Sequence, residues 1–408
     1  MKIRMLCLFD YATITGFATV SQNLIEQIQE HFAEKAGTEL VIDIVAINYR
    51  GEKVIQKNNI NYVSAVETDI SQDYFGRVSF LRTLIANDYE YIFIIQDLGI
   101  ICPMVKHLEK IKKDKIIANK VVFKSLFYFP VDSEINDNLI KGLDFFDYLF
   151  TYTEFGKEQI SSRNEKLGRR VEVVYHGCNI NDFHTIRNKD TIKSLREKYF
   201  GMDNQRKYIF ANINRNQPRK DIPSTILGFL EYWKTNRNSL LYLHMDAEDT
   251  MGWNLYSIIS QTPLKLGKDV IFEPKSMLEK GGATVTQLNE IYNSIDCYIN
   301  TATGGGWELT ATEAMACFKP VIVPKHTSFL TLGAENRAYY LEELYPIVSN
   351  VDNIIRHQSN IYEIAEVMAK VREQKDTEPQ ITMLENAYNF VNNLHWSHLA
   401  MNFIRKIK

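Results

Sequence analysis

Two short stretches carry most of the chemistry in this chain. NRNQPRKDIP follows an apolar run at residues 208–213 and places Arg215, Arg219 and Lys220 within six positions. At a strand end such a cluster can clamp a diphosphate, the guanidinium as a planar fork and the ammonium as a point charge. A solvated turn is the plainer alternative. YINTATGGGWELTATEAMACFKPVIVP, residues 298–324, sets Gly304, Gly305 and Gly306 between an apolar run and a helix-like run that carries Glu308 and Glu313. Bare backbone admits close approach of a ligand. A helix start adds N–H donors and a partial positive charge, so a diphosphate fits there. Glu308 reads equally well as a mere partner of the helix dipole. Glu313, among Ala311, Ala314, Met315 and Ala316, is an unusual charge on an apolar helix. It needs a partner, and ribose hydroxyls are one candidate.

Two further stretches are less specific. In DYATITGFATVSQNLI, Gly16 precedes a helix whose apolar face is Val20, Leu24 and Ile28. The glycine reads either as a phosphate approach or as a tight turn. LYLHMDAEDTMGWNL follows a strand with Asp246, Glu248 and Asp249. A polar loop is the better reading than a metal site, since no Cys or His ligand set accompanies it.

The elements that must position these residues alternate along the chain. Strands are expected at 3–9, 40–47, 91–95, 121–127, 148–151 and 171–174, with helices at 19–32, 74–86, 104–112 and 154–163 between them. The pattern restarts with strands at 208–213, 239–244, 270–272, 297–300 and 321–323, and helices at 223–234, 255–259, 286–293 and 309–317. Short β-rich runs separated by helices point to parallel βαβ units. Polar residues dominate near 179–205. The expectation is two doubly wound α/β domains, 1–190 and 191–385, with a helical tail at 361–408 whose last part, 386–408, is a terminal helix. Ligands of such sheets bind beyond the carboxyl ends of the strands.

Bulk properties narrow the field. The chain has 408 residues, long enough for two domains, and a net charge of -3, which argues against a polyanion binder by bulk electrostatics. Residues 106–124 hold seven lysines and read as a solvated helix face and loop, or a basic patch. Five cysteines without a CxxC pair suit buried free thiols in a reducing compartment. No run approaches the ~18 apolar residues of a membrane span. A cytoplasmic protein is expected; peripheral contact with a membrane surface stays open.

With these residues in hand, the chain resembles the retaining, nucleotide-sugar-dependent glycosyltransferases of family 4, which have the GT-B architecture. The likeness runs in order over nearly the whole chain: TGFATVSQNLI, YTEFGKEQI, VVYHGCNINDFH, RNQPRK with its Arg-x4-Lys spacing, GGWELTATEAMACFKPVIVP, and LHWSHLAMNFI with Trp396. The resemblance implies two Rossmann-like domains facing a cleft, the first on the acceptor side and the second on the donor side, with the terminal helix crossing back to the first. It implies that Arg215 and Lys220 hold the donor diphosphate and that Glu313 accepts from the ribose. Gly16, with Phe17, brings backbone to the phosphate. Gly304, Gly305, Gly306, Trp307, Leu309 and Thr310 surround the donor sugar.

Two positions depart from the family pattern. The family has Glu-x7-Glu, but the position eight before Glu313 is Gly305, and a glutamate stands instead at Glu308. Either Glu308 reaches the sugar in its place or donor preference has changed. Relatives also carry a sugar-contacting His after a mid-domain strand, where this chain reads FYFPVDSE. Asp132 there either binds acceptor or sugar, or caps a helix at 134–143.

The resemblance implies front-face transfer from a UDP- or GDP-sugar to an acceptor hydroxyl, with retention, no metal and no cofactor. Arg215, Lys220, Glu308 and Asp132 are the catalytic candidates. A sugar-nucleotide epimerase and a non-catalytic sugar-nucleotide binder are the competing readings. A glycan, a protein or a modified DNA base is the acceptor.

Overall fold

The computed structural model describes residues 2–35, 37–55, 59–65, 73–278, 282–349 and 353–407. The chain divides into two compact units. The first comprises Met1–Val131, Ile135–Gly177 and His395–Lys408; the second comprises Asp132–Glu134 and Cys178–Leu394. Both are built on parallel sheets.

The first unit holds β1 (Lys2–Asp10), β2 (Glu39–Ile47), β3 (Val54–Ile55), β4 (Ile60–Ser64), β5 (Tyr91–Ile95), β6 (Lys124–Phe129), β7 (Tyr148–Thr151) and β8 (Val171–Val173). Their order is β3-β4-β2-β1-β5-β6-β7-β8. Every pair is parallel except β3 with β4. β1 lies between β2 and β5, with Met5 opposite both Ile42 and Tyr91. Near-continuous apolar runs such as YIFII are what a strand covered on both faces requires, and all five residues of β5 are buried. The Gly16–Glu34 helix covers one face with Val20, Leu24, Ile28 and Phe32. Beside it lies the last helix, Trp396–Ile404, whose Phe403 is fully buried against Phe93, Tyr128 and Phe150. Burying one such aromatic ring stabilises the docking by roughly 1.5–3 kcal/mol. Gly177 makes room for that helix: a Cβ there would lie 2.4 Å from the Trp396 indole. His176, packed between Tyr152 and Trp396, is pushed down to about 3 by burial and is therefore a neutral packing group.

The second unit holds β9 (Tyr208–Asn212), β10 (Ser239–Leu243), β11 (Val270–Phe272), β12 (Cys297–Ile299), β13 (Val321–Pro324), β14 (Tyr339–Leu341), β15 (Leu344–Val348) and β16 (Ile355–Ser359). The first six form a parallel sheet in the order β11-β10-β9-β12-β13-β14; β15 and β16 form an antiparallel hairpin. The chain runs outward from β9 through β10 to β11, then returns to place β12 on β9's other side. This reversal is a topological switch point, where the crevice outside the strand ends admits ligands. The two stretches singled out from sequence are the ones that leave β9 and β12.

Several expectations shift. The units part at 177/178 and 394/395, rather than near 190 and 386. Residues 178–190 are drawn to the second unit because the amides of His184 and Ile186 donate to Asn289 Oδ1 and Asn293 Oδ1. The strand expected at 121–127 is Lys124–Phe129, set by pairing of Tyr91 with Lys124, and Val121 and Val122 stay exposed. The tail is three helices, Ile361–Glu373, Glu378–Asn392 and Trp396–Ile404. No α-helix forms at 134–143, where the backbone makes turns and only a short 3-10 segment starts at Leu143. Asp132 therefore has no helix there to cap. In the lysine-rich segment, Lys115 leaves the solvated face: it is buried and donates to Asn87 O at 2.9 Å and Asp88 Oδ1 at 2.7 Å.

Candidate donor site at the second switch point

After β9 the chain runs through Arg215 to a 3-10 turn, Pro218–Lys220. Asp221 then takes a left-handed conformation, φ 46° and ψ 50°, which turns the chain into the Ile222–Thr235 helix. A non-glycine residue in that region is strained, and the surroundings hold it. Asp221 O accepts from Thr301 Oγ1 at 2.9 Å and its carboxylate from Gln358 Nε2 at 3.1 Å. The second loop is tied to the first by its backbone: Thr303 N donates to Arg219 O at 2.8 Å. Asn300 organises the start of that loop, accepting from the Ala302 amide at 2.8 Å and donating to Tyr298 OH at 3.1 Å.

Five charged groups meet here. Lys220 Nζ donates to Glu308 Oε2 at 2.5 Å, and Asn300 Nδ2 donates to the same oxygen at 3.2 Å. Arg219 Nη1 donates to Gly304 O at 2.6 Å and lies 3.7 Å from Glu308 Oε1. Asp132 sits between Arg219 Nε at 3.2 Å and Arg356 Nη1 at 3.5 Å. Burial pushes the Lys220 ammonium below its ordinary value, against the pull of Glu308. Mutual attraction and hydrogen bonds offset the burial of such a pair; removing either partner leaves the other buried without compensation.

Glu308 is the N-cap residue of the Leu309–Ala316 helix, yet its side chain makes no capping hydrogen bond. It turns back to Lys220 instead. Its Oε1 is buried without a hydrogen-bond partner. That oxygen lies against Gly305: a Cβ built on Gly305 would meet it at 2.5 Å. The carboxylate at 308 thus fills the space beside Gly305 into which a side chain at 305 would project. Gly304 is confined in the same way, with Asp132 O 1.9 Å from a built Cβ. Gly305 N donates to Thr327 Oγ1 at 3.1 Å and Gly305 O accepts from the Ser328 amide at 3.2 Å, which fixes the turn from β13's side.

Glu313 follows on the same helix. Tyr292 OH donates to its Oε2 at 2.7 Å. Burial pushes the carboxyl up to about 7, although the Tyr292 bond pulls the other way. No described residue donates to Oε1, which leaves one oxygen for a ligand hydroxyl. Thr310 Oγ1 is 2.7 Å from Tyr298 OH, and Trp307 and Gly306 are buried within the loop. Leu309 opens the helix.

Arg215 is not brought to Lys220. It pairs with Asp249, Nε to Oδ2 at 2.6 Å and Nη2 to Oδ1 at 3.3 Å, and is 60% exposed. The acidic stretch after β10 thus supplies a resting partner for a cation. Among the described residues no group of three His, Cys, Asp or Glu side chains is placed to share a metal ion. Gly16 and Phe17 belong to the first unit, where Gly16 opens its helix behind the Thr15 cap.

Sequence reasoning counted Arg219 within the diphosphate-clamping cluster but left it out of the residues the family resemblance singles out. The structure puts it at the centre, bonded to the glycine loop. Arg356, Tyr292 and Asn300 were missed: each becomes visible only when distant strands are brought together.

The fold is that of the GT-B glycosyltransferases, with a parallel-sheet Rossmann-like core in each unit. No family sequence model and no curated protein sequence matches the chain. Solved structures do. HepE from Anabaena in complex with UDP-glucose superposes with a TM-score of 0.68 at 14% identity, covering 99% of both chains. The glycosyltransferase WaaG, involved in lipopolysaccharide biosynthesis, gives 0.68 at 10% identity over 100% of both chains. Sucrose-phosphate synthase from Thermosynechococcus elongatus gives 0.69 at 14% identity, over 100% of this chain and 98% of its own.

Proposed function

We propose that the chain is a retaining glycosyltransferase of the family 4 type, moving a hexosyl group from a UDP- or GDP-sugar to an acceptor hydroxyl. One observation carries the reading. The glycine turn after β12 and the basic turn after β9 meet at the switch point, with Lys220 and Glu308 in contact. HepE bound to UDP-glucose, on the same fold, supports the donor class.

In this reading the diphosphate enters over Lys220, Arg219 and the start of the Leu309–Ala316 helix. Arg215 exchanges Asp249 for a phosphate oxygen. Glu313, oriented by Tyr292, accepts from a ribose hydroxyl through its second oxygen. Glu308 takes the place of the family's first glutamate and turns Oε1, which accepts no hydrogen bond, to the donor sugar. The sugar C1–O bond to the diphosphate breaks while the acceptor oxygen bonds C1 on the same face. The acceptor proton passes to the departing phosphate oxygen. The cations stabilise the charge that develops on this leaving group, typically the largest contribution to such catalysis. A metal is not required for that role. Gly16 and Phe17 supply backbone to the phosphates, and Asp132 holds sugar or acceptor.

The test begins with a panel of UDP- and GDP-sugars scored by thermal stabilisation, since a ligand of the native state raises the melting point. The stabilising donor is then incubated alone and with glycan, protein and DNA acceptors. Transfer with retained configuration supports the proposal. Conversion of donor alone identifies an epimerase, and binding without turnover identifies a sugar-nucleotide binder. The glutamate exchange is tested separately. Gly305→Glu alone collides with Glu308, so the informative variants are Glu308→Gln and the double swap Gly305→Glu/Glu308→Gly. Loss of turnover in the first with recovery in the second supports a shared role; unchanged turnover in both rejects it.

A further inference from the structure

A cation-lined cavity lies at the opposite end of the same strands. A cavity of about 740 Å³ is walled by Tyr208, which begins β9, Asp296, directly before β12, and Pro320, directly before β13. These are the amino ends of strands whose carboxyl ends carry the donor loops. The cavity is therefore separated from the loop site by the length of the sheet.

Its charge is lopsided. Six cations line it, Lys189, Lys193, Arg196, Arg206, Lys319 and Lys375, against two carboxylates, Asp296 and Asp376. That is an excess of four positive charges in a chain whose net charge is -3. Asp296 is already committed: it accepts from Arg196 Nη2 at 2.7 Å, Lys375 Nζ at 2.9 Å and the Ile209 amide at 2.9 Å. The remaining cations have no carboxylate within ion-pair distance among the described residues. Lys319 is the most telling. Its Nζ donates to a neutral acceptor, Asn293 O, at 3.1 Å, and burial pushes the ammonium down to about 8. Arg196 Nε is buried with no partner. Lys189, Lys193 and Arg206 stand exposed at the rim. A partly desolvated ammonium and a buried orphan N–H are both costly unless an acceptor arrives. Between the cations the wall is apolar, with Ile192, Phe318 and Leu384.

We propose that this cavity binds a small organic phosphate, its anionic group among Lys319, Lys193 and Arg206 and its body against the apolar wall. The site is independent of the donor loops and of the transferase reading.

Calorimetric titration of the full chain tests it, with glucose 6-phosphate and inorganic phosphate as probes and UDP present at saturation to occupy the first site. Glucose 6-phosphate is expected to bind in the presence of UDP, and more tightly than inorganic phosphate. Lys319→Met is expected to weaken it about tenfold, the loss of one charge-assisted hydrogen bond. The rim variant Lys193→Ala/Arg206→Ala, at exposed positions that leave the fold intact, is expected to weaken it at least as much. No heat with either probe, displacement by UDP, or binding unchanged in the rim variant overturns the proposal.

Discussion

The turns that leave β1 in the first unit and β9 and β12 in the second are built from opposite materials. In the first unit, the turn after β1 is organised by a single buried carboxylate with neutral partners. Asp10 accepts from Thr15 Oγ1 at 2.6 Å and Asn48 Nδ2 at 3.0 Å, and its peptide oxygen from Ser21 Oγ. Thr15 in turn accepts from the Ala18 amide at 3.0 Å. Burial pushes the Asp10 carboxyl up, with no cation among its hydrogen-bond partners. In the second unit, the turns after β9 and β12 bring Arg219, Lys220 and Glu308 together, and Asp132 and Arg356 of β16 join them, three cations and two carboxylates in contact. The same βα geometry thus serves two ends. Neutral hydrogen bonds fix the shape of a loop, whereas a dense ion cluster also concentrates cationic groups, which the proposed reading assigns to the donor diphosphate. Asp10 is the less expected of the two, because a buried carboxylate without a cation relies entirely on its hydrogen bonds.

The contrast can be broken from the charged side first. Lys220→Met should lower kcat/KM with the matching sugar nucleotide by about 10²–10³, the cost of one leaving-group contact. It should also destabilise the chain by about 3–5 kcal/mol, because the Glu308 carboxylate is left buried without its cation. Adding Glu308→Gln should restore much of the melting temperature without restoring turnover. Recovery of both would show that the pair is purely structural.

Glu313→Gln separates stability from binding. The native carboxyl, raised to about 7, is ionised above that pH at a cost the unfolded chain does not bear. That cost is relieved as pH falls from about 7 toward the ordinary carboxylate range. The variant should therefore be more stable than the parent by about 1–3 kcal/mol at pH 8, and the advantage should vanish by about pH 5. Its donor KM should rise about tenfold if one ribose hydrogen bond is weakened. A melting curve at each pH, read beside KM, checks both.

Asp10→Asn probes the neutral turn. The amide keeps an acceptor for Thr15, so the expected loss is about 1 kcal/mol near neutral pH. A loss several times larger would mean that the carboxylate charge itself holds the turn. The smallest effect is expected at Arg215→Ala. Its pair with Asp249 is largely exposed, so the denaturation midpoint should correspond to a change within about 0.5 kcal/mol. Donor turnover should nevertheless fall several-fold if Arg215 moves to the phosphate.

Much of this site was legible before folding. The β-rich runs, the helix periodicities, the glycine triplet and the basic cluster are local features, and local geometry dictates what they become. Pro223 at the start of the Ile222–Thr235 helix and the predominantly apolar, fully buried strands β5, β9 and β10 are examples. The misreadings have a shared cause. The helix expected at 134–143 and the boundary expected near 190 both depended on contacts made far along the chain.

The sequence by itself determined that two parallel α/β units would form and that a bare-backbone turn and a basic turn would each follow a strand. Only the tertiary structure decided which charges meet. Lys220 reaches Glu308 across 88 positions, while Arg215, five residues before it, is held by Asp249 across 34. The reason is physical: strand order sets which loops share a sheet edge, and buried ion pairing is decided by distances of a few ångströms that no local pattern encodes.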